Sequence, residues 1–293
     1  MVYLRLLKYP GAKFVVIPDI RKVFSNSHCN LFIDIFGGSG SVSLNINSPA
    51  TIYNDIDPQF TNLFNSIKYK PEILYKMLRD EVASADEISK LRTASQYIRD
   101  TGTGGKGSMR KIGEAGTGSR WPQDFSGTVS DNPRIIDPLR AMDTIVRFSH
   151  SFGGLGDTYG TQREKSPNLY MKKTLYSFGK IHDVVRTWQI ENLDFRVVLR
   201  KYDSEGAFLY LDPPYPGKNW YNFNFTERDF LDLADFLKRA KGKYLLNLDA
   251  EDAALIRIFG KPSFIRRYAN QNGPALNRND KTRSRSFYTN VFQ

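Results

Sequence analysis

The sequence predicts an α/β fold, in which a mostly parallel sheet with crossover helices is divided by an inserted segment of different character. Three observations predict it. Short apolar runs typical of strands alternate with amphipathic helical stretches near both ends of the chain. The middle of the chain is basic, polar and rich in glycine. The length of 293 residues suits one large domain that carries such an insertion.

The first strand–helix–strand–helix unit lies near the N-terminus. Leu31–Ile35 is a short apolar run ended by glycines, and Ser41–Ile46 is predicted to be the following helix. Thr51–Tyr53 is the second strand, and Pro58–Tyr69 is a helix with four apolar residues on one face. This alternation is typical of parallel strands joined by crossover helices.

The α/β pattern returns in the second half of the chain. Phe208–Leu211 is a strongly apolar strand, and Thr226 is the predicted N-cap of the helix after it. Lys243–Leu248 is another strand. Phe264–Tyr268 and Phe287–Val291 are expected to be the last two, paired antiparallel.

The predicted insertion is residues 61–180, so that residues 1–60 and 181–293 form the main domain. Two helices, at 71–100 and Arg134–Phe148, and a Gly-rich hairpin at Phe152–Tyr170 are expected within it. Between the helices, residues 101–133 interleave glycines with Lys and Arg. That composition predicts a flexible basic loop.

The charge of the chain is its least ordinary bulk property. Lys and Arg number 42 against 31 acidic residues, which gives a net charge of +11. Such a balance favours a polyanionic partner, nucleic acid first and an anionic membrane surface second. A merely basic soluble enzyme fits the charge about equally well.

The scarcity of cysteine and histidine excludes several kinds of site. Cys29 is the only cysteine, which rules out an internal disulfide and a Cys-rich zinc site. The three histidines are scattered, so no metal centre is expected. The N-terminus resembles no signal peptide, and no apolar run is long enough to span a membrane. A soluble, cytoplasmic protein is therefore expected.

Two polar turns follow the first two predicted strands. Asp34–Gly40 is a glycine turn that lets a ligand approach the backbone, although such turns serve many ligands and some serve none. It lacks the Lys-Ser/Thr of a P-loop, which disfavours a nucleoside triphosphate. Asp55, at the end of the second strand, is placed to accept hydrogen bonds from a ribose diol. Asp55 and Asp57 also suit the cap of the next helix, and both roles can hold together.

The decisive motif is Asp212-Pro213-Pro214-Tyr215, directly after the strand Phe208–Leu211. An exocyclic amino nitrogen of adenine is a poor nucleophile, because its lone pair is delocalised into the ring. A carboxylate from Asp212 and the backbone carbonyl of Pro213 can each accept one of its N–H groups, and the two prolines fix that backbone. Tyr215 offers a flat face to a base flipped out of a duplex. The alternative is a Pro-rich turn with a chance tyrosine.

With these motifs in order, the sequence resembles the Dam-type DNA adenine-N6 methyltransferases. The resemblance covers about residues 1–70 and 180–293. The matching stretches are Tyr9-Pro10-Gly11-Ala12-Lys13, Asp34 to Gly40, Asn54-Asp55, Asp194-Phe195, Asp212 to Tyr215, Tyr221 through Phe225-Thr226, and Tyr288-Thr289-Asn290.

The resemblance implies a Rossmann-like methyltransferase sheet of seven strands with an inserted target-recognition domain. It implies S-adenosyl-L-methionine as the methyl donor, with the methionine part held near Tyr9 and Lys13. The implied donor-binding residues further include Asp34, Phe36, Gly37, Gly38, Ser39 and Gly40 in the glycine turn, Asp55 at the ribose, and Asp194 with Phe195 at the adenine. Asp212, Pro213, Pro214 and Tyr215 are the implied catalytic residues.

The sequence departs from the family pattern in places. Asn247-Leu248-Asp249 stands where many relatives have a Ser-Asn pair, and residues 101–133 have no clear counterpart. Because residues 147–165 match the family's DNA-reaching hairpin only loosely, site specificity is not carried over. The candidate phosphate contacts are Arg140, Arg147, Arg163 and Lys165 in the insertion and Arg267, Arg278, Lys281, Arg283 and Arg285 near the C-terminus. For any one of them a solvated surface charge is the better interpretation, and the prediction depends on their collective bias.

The predicted function is site-specific methyl transfer to the N6 amino group of a flipped adenine in double-stranded DNA. Transfer to the N4 amino group of cytosine or to adenine in RNA has the same geometry and stays open. A DNA-binding protein that has lost catalysis, or a methyltransferase for small molecules or proteins, is the rival from another class. Three biological roles are equally open: restriction–modification, replication timing and self-protection of a mobile element. In the first of these, a cognate restriction endonuclease is the expected partner.

Overall fold

A computed structural model of the protein shows a seven-stranded sheet with helices packed on both faces. The structure describes residues 3–9, 13–84, 136–150, 167–215, 223–249, 252–269 and 282–292. The predicted loop at 101–133 lies outside these residues, as does most of the predicted hairpin at 152–170. No helix in the described part of the chain is long and apolar enough to cross a membrane.

The strands run in the order β3-β2-β1-β4-β5-β7-β6. Their bounds are β1 Leu31–Asp34, β2 Ala50–Asn54, β3 Gln189–Glu191, β4 Ala207–Leu211, β5 Lys243–Asp249, β6 Phe264–Ala269 and β7 Thr282–Thr289. Strands β1 to β5 are parallel, whereas β7 pairs antiparallel with both β5 and β6. Because β1 lies between β2 and β4, the strand order reverses there, at the position where ligands bind in sheets of this kind.

The helices connect these strands across both faces. They are α1 Ile17–Ser27, α2 Pro58–Tyr69, α3 over residues 71–84, α4 Pro138–His150, α5 Pro167–Val185, α6 Phe195–Tyr202, α7 Glu227–Leu237 and α8 Ala253–Phe259. Thr226 caps α7 in a reciprocal capping box with Asp229, which confirms the predicted start of that helix. Asp57 is the N-cap of α2, as predicted for one of the pair Asp55 and Asp57.

Alternating side chains of the strands divide between two cores. On one face, Phe208 and Tyr210 of β4 pack with the apolar residues of α1. On the other face, Leu209 and Leu211 pack with α6, α7 and α8. All five residues of β4 are buried. The segment that follows β4 therefore begins at the carboxyl end of a central, fully covered strand.

Helices α2, α4 and α5 share a third core with β2. Tyr53 of β2 stacks on Trp188 at 5.4 Å between ring centroids, and Phe64 of α2 packs against both rings. The predicted insertion boundaries, residues 61 and 180, fall inside α2 and α5. The assignment of residues 61–180 to target recognition stays a prediction.

Several predicted elements differ from the structure. Ser41–Ile46 is not an α-helix, because only one 3-10 turn forms, at Ser43–Asn45. The Asn45 side chain donates to the carbonyls of Ser41 and Leu4, both at 2.9 Å, and so competes with helix extension. The stretch predicted as a hairpin ends in helix instead, since α5 begins at Pro167, and proline suits a first helical turn. The last strand spans Thr282–Thr289 and not Phe287–Val291.

Candidate active site

The glycine turn after β1 lies directly on aromatic side chains. A Cβ atom at Gly37 would lie 2.1 Å from the Tyr53 ring, and one at Gly40 would lie 2.5 Å from the Phe64 ring. Gly40 also has a φ of 67°, a conformation that only glycine adopts without strain. The backbone of this turn is therefore held close to the core, with its exposed side at the carboxyl end of β1.

The Asp55 carboxylate fastens the glycine turn to the end of β2. Its Oδ2 accepts a hydrogen bond from the Gly38 N–H at 2.7 Å, and its Oδ1 accepts from the Asp57 N–H at 2.8 Å. Burial raises the pKa of the Asp55 carboxyl to about 7. Asp57 separately accepts from the Gln59 N–H at 3.0 Å, so the two acids have distinct structural roles.

A cavity of about 170 Å³ opens beside this turn, between β2 and the segment after β4. Its walls include Phe36, Phe195 and Phe225, whose rings pack on one another with centroids 5.0–5.7 Å apart. The Asp194 carboxylate lies at the wall, where it accepts from the Arg196 N–H at 2.8 Å. Aromatic walls with a few polar groups are typical of a site for a flat heteroaromatic ring.

The Asp212 carboxylate, one residue beyond β4, has chain donors on both oxygens. The Lys13 ammonium lies 2.5 Å from Oδ2. The Tyr215 hydroxyl donates to Oδ1 at 2.8 Å, and the Asn247 amide donates to the same oxygen at 3.1 Å. Burial lowers the pKa of the Lys13 ammonium, while the facing carboxylate opposes that shift.

The Tyr215 ring is held at its edge and on one face. The Arg285 guanidinium carbon lies 4.7 Å from the ring centroid, and Arg285 Nη1 pairs with the Asp249 carboxylate at 3.5 Å. Burial raises the pKa of the Tyr215 phenol well above its usual range, so the hydroxyl stays protonated and acts as a donor. Tyr215 is only 6% exposed.

A second buried carboxyl, Asp34, lies at the end of the neighbouring strand β1. Ser43 Oγ donates to its Oδ2 at 2.6 Å, whereas Oδ1 has no hydrogen-bond partner among the described residues. Burial raises the pKa of Asp34 to about 7. The site thus combines buried carboxyls with one buried ammonium.

The other predicted donor-binding residue, Tyr9, packs its ring 5.4 Å from each of the rings of Phe60 and Phe148, above the Gly38 backbone. The structure therefore brings the glycine turn, Tyr9, Lys13, Asp55 and the Asp212 motif to one edge of the sheet. The role of each residue stays a prediction.

Only some of the predicted phosphate contacts lie in the part of the chain that the structure describes. Arg140 and Arg147 lie on α4, and Arg147 Nη2 donates to Gln59 Oε1 at 2.6 Å. Arg283 belongs to β7, while Arg163 and Lys165, like Lys281, lie outside the described residues.

Asn247 is a site residue that the sequence analysis did not select, since it stands there only as a departure from the family pattern. The available signal was a polar residue within an otherwise apolar strand, Leu245-Leu246-Asn247-Leu248. Arg285 is among the predicted phosphate contacts, but the structure places it against the Tyr215 ring and the Asp249 carboxylate with only 6% of its surface exposed. Within the described ranges, no three His, Cys, Asp or Glu side chains form a group that could hold a metal ion.

Comparison with known proteins identifies a family model that matches most of the chain. Residues 9–258 match the family model of the D12 class N6 adenine-specific DNA methyltransferases. A DNA adenine methylase of Haemophilus influenzae is 44% identical over 62 residues, which is 21% of each protein. A DNA adenine methylase of Serratia marcescens is 32% identical over 90 residues, which is 29% of this chain and 33% of the relative. Both alignments cover well under two thirds of the relatives' own lengths.

The family match takes in Tyr9, the glycine turn and the Asp212 to Tyr215 motif, and it extends over most of the chain. The chain belongs to the D12 class N6 adenine-specific DNA methyltransferase family.

Proposed function

We propose that the protein transfers a methyl group from S-adenosyl-L-methionine to the N6 amino group of an adenine in double-stranded DNA. The observation that carries the proposal is the Asp212 carboxylate, which two donors hold at one oxygen at the end of a central buried strand. Family membership supports the same activity.

The residues present suit the proposed donor. The aromatic cavity with Asp194 at its wall fits an adenine ring, and the Asp55 carboxylate at the end of β2 fits a ribose diol. The glycine turn, with Tyr9 above it and Lys13 nearby, would take the methionine part. When bound, the donor supplies an electrophilic methyl group on a positively charged sulfur.

The two oxygens of Asp212 suit different tasks. Oδ1 already accepts from Tyr215 and Asn247, so its lone pairs are used by the chain itself. Oδ2 faces Lys13, whose ammonium ends a flexible four-carbon stem and can shift. We therefore assign the first N–H of the target amino group to Oδ2.

The backbone carbonyl of Pro213 would accept the second N–H, since the flanking prolines restrict the backbone at that point. With both N–H groups held, the nitrogen lone pair is freed from the ring and attacks the methyl carbon in line. The C–S bond would break with its electron pair on sulfur, and the methylated nitrogen would then release one proton along its hydrogen bond to Asp212 Oδ2 and on to solvent. Asp212 acts as a hydrogen-bond acceptor throughout the attack.

Tyr215 would stack on the flipped base. Because Arg285 covers one face of the ring and Tyr215 is 6% exposed, the base reaches the ring only when neighbouring side chains move. Base entry and rearrangement of the site are thereby coupled.

Duplex DNA as the partner is supported by the net charge of +11, because cationic proteins bind the polyanionic phosphate backbone. Arg140 and Arg147 on α4, together with Arg163, Lys165, Lys281 and Arg283, remain our candidates for phosphate contacts. A site-specific enzyme of this kind would work in the cytoplasm, on the nucleoid.

The experiment that tests the function measures transfer from labelled S-adenosylmethionine to unmethylated duplex DNA, followed by nucleoside analysis. We expect the label in N6-methyladenine. Label in N4-methylcytosine would show that the target base is cytosine and not adenine. Label in RNA alone would show that the substrate is RNA and not DNA. Donor binding without transfer to any nucleic acid would indicate a catalytically silent binder.

A further inference from the structure

Asn247 is a buried polar residue whose hydrogen bond to Asp212 has a role of its own in the site. It lies within β5 between Leu246 and Leu248 and is 0% exposed. An asparagine at such a position is costly unless its amide is hydrogen-bonded. Among the residues that the structure describes, its Oδ1 has no hydrogen-bond partner. The amide nitrogen is therefore the group of this side chain that finds partners in the described structure.

The amide of Asn247 is directed at the catalytic motif. Its Nδ2 donates to Asp212 Oδ1 at 3.1 Å and lies 3.5 Å from the Tyr215 hydroxyl. The register of the sheet explains this contact. Leu211 of β4 pairs with Leu246 of β5. The residues that follow them, Asp212 and Asn247, therefore lie side by side.

The Asn247 contact differs in kind from the other two contacts of the carboxylate. Tyr215 belongs to the same turn as Asp212, and Lys13 reaches the carboxylate through a long four-carbon stem from the segment before α1. Asn247 is fixed in a strand that pairs on both sides, with β4 and with β7. Its amide therefore ties the carboxylate to the rigid part of the fold.

We propose that Asn247 is a positioning residue, which holds Oδ1 of Asp212 so that Oδ2 is presented to the target amino group. This inference rests on the proposed function. A carboxylate can rotate about its Cβ–Cγ bond, and a rotated carboxylate would present its oxygens out of line with the amino group. Small errors of this kind reduce rates strongly, because hydrogen bonds to a reacting group depend on direction.

Asn247→Asp is the sharpest variant, because it keeps the shape of the side chain and replaces the amide donor by a carboxyl group. When ionised, the introduced carboxyl repels Asp212; when protonated, it donates to Asp212 Oδ1 as the amide did. Burial and the facing carboxylate raise the pKa of the introduced group. The charged and titratable groups around it are Lys13, Asp34, Tyr210, Asp212, Tyr215, Asp249 and Arg285.

For N247D we expect kcat to fall by about tenfold to a hundredfold near pH 8 and to recover partly as the pH falls towards about 6. The dissociation constant of S-adenosylmethionine should stay unchanged. Asn247→Ser, which shortens the side chain, should show a similar loss of kcat without the recovery. Leu248→Val, on the opposite face of β5, is the matched control and should keep the kcat and the pH profile of the wild type.

Several results would overturn the proposal. Wild-type kcat in both N247D and N247S would show that the contact is dispensable. Loss in N247D without recovery at lower pH would make Asn247 a packing residue.

A second readout does not depend on activity. The stability of N247D to urea should fall more steeply than that of the wild type as the pH rises, because a group with a raised pKa favours folding only while protonated. Equal slopes would overturn the inference. Absence of methyl transfer by the wild type would instead reject the proposed function, and the urea measurement would still test the contact.

Discussion

The Lys13 ammonium lies 2.5 Å from Oδ2 of Asp212, on the side of the carboxylate opposite to the oxygen that Tyr215 and Asn247 hold. The two side chains are 7% and 16% exposed, so the ion pair is largely removed from water. In such a setting each charge depends on the other, because an uncompensated buried charge is expensive. The Asp212 carboxylate, which we propose to be catalytic, is therefore also part of the structural core of the site.

Lys13→Met should destabilise the fold by about 3–5 kcal/mol, because it leaves the Asp212 carboxylate buried without its cation. Adding Asp212→Asn to that variant should restore part of the loss, since both charges are then gone. Urea denaturation of the four proteins of this cycle measures the coupling. Arg79→Gln breaks an ion pair between half-exposed side chains and should change little. Strictly additive effects of the two substitutions would contradict a coupled pair.

Asp212→Asn should lower kcat for methyl transfer by at least about a hundredfold, because the target amino group loses a charged acceptor. The dissociation constant of S-adenosylmethionine, measured by calorimetry, should change little. Asp235→Asn removes an exposed acid of α7 that pairs with Arg239 and should behave as the wild type. Transfer by D212N at the wild-type rate would refute the catalytic assignment.

The stability of the protein without donor should fall as the pH rises from about 4 to about 7. Asp34 and Asp55 both have folded pKa values of about 7 against a reference of 3.8, because burial disfavours their ionised forms. The folded state then binds protons that the unfolded state releases, so the stabilisation is present at low pH and is lost through this window. Asp34→Asn should flatten the dependence in urea denaturation at several pH values. An unchanged slope in D34N would show that Asp34 ionises normally.

The turns that hold the proposed site residues could be predicted from the sequence because each is marked by residues close together in the chain. The glycine turn, the acid after β2 and the Asp212 motif each follow a strand within a few residues. Likewise, the capping box of Thr226 and Asp229 spans only four consecutive residues. These local patterns were sufficient to predict the alternation of strands and helices and the edge of the sheet at which the predicted site residues lie.

The site contacts that the sequence did not reveal depend on long-range pairing. Asn247 meets Asp212 across 35 positions, and Arg285 reaches Tyr215 from the antiparallel strand β7. Their contacts follow from sheet register, which no periodicity within one strand specifies. Short elements were missed for a different reason: β3 has three residues and α6 has eight, too few for a clear repeat.

Gly40→Ala should destabilise the fold by about 2–4 kcal/mol. The added methyl group would lie 2.5 Å from the Phe64 ring, and the φ of 67° would become strained. Gly179→Ala, in the interior of α5, is the matched control because nothing lies within 4 Å of the added atom. That change should stabilise the helix by about 0.5–1 kcal/mol. Thermal unfolding of both variants gives the comparison, and equal effects would contradict a strained glycine turn.

Affinity for duplex DNA should fall steeply with salt if the cationic residues neutralise phosphates. Each phosphate contact contributes about −0.9 to the slope of log affinity against log salt concentration, so a protein with about six contacts loses about a thousandfold between roughly 50 and 200 mM salt. Arg140→Gln, at the exposed start of α4, should make the slope shallower by about one. Arg239→Gln, whose guanidinium pairs with Asp235, should leave it unchanged. Fluorescence anisotropy at four salt concentrations measures both slopes, and a salt-independent affinity would reject phosphate contacts as the source of binding.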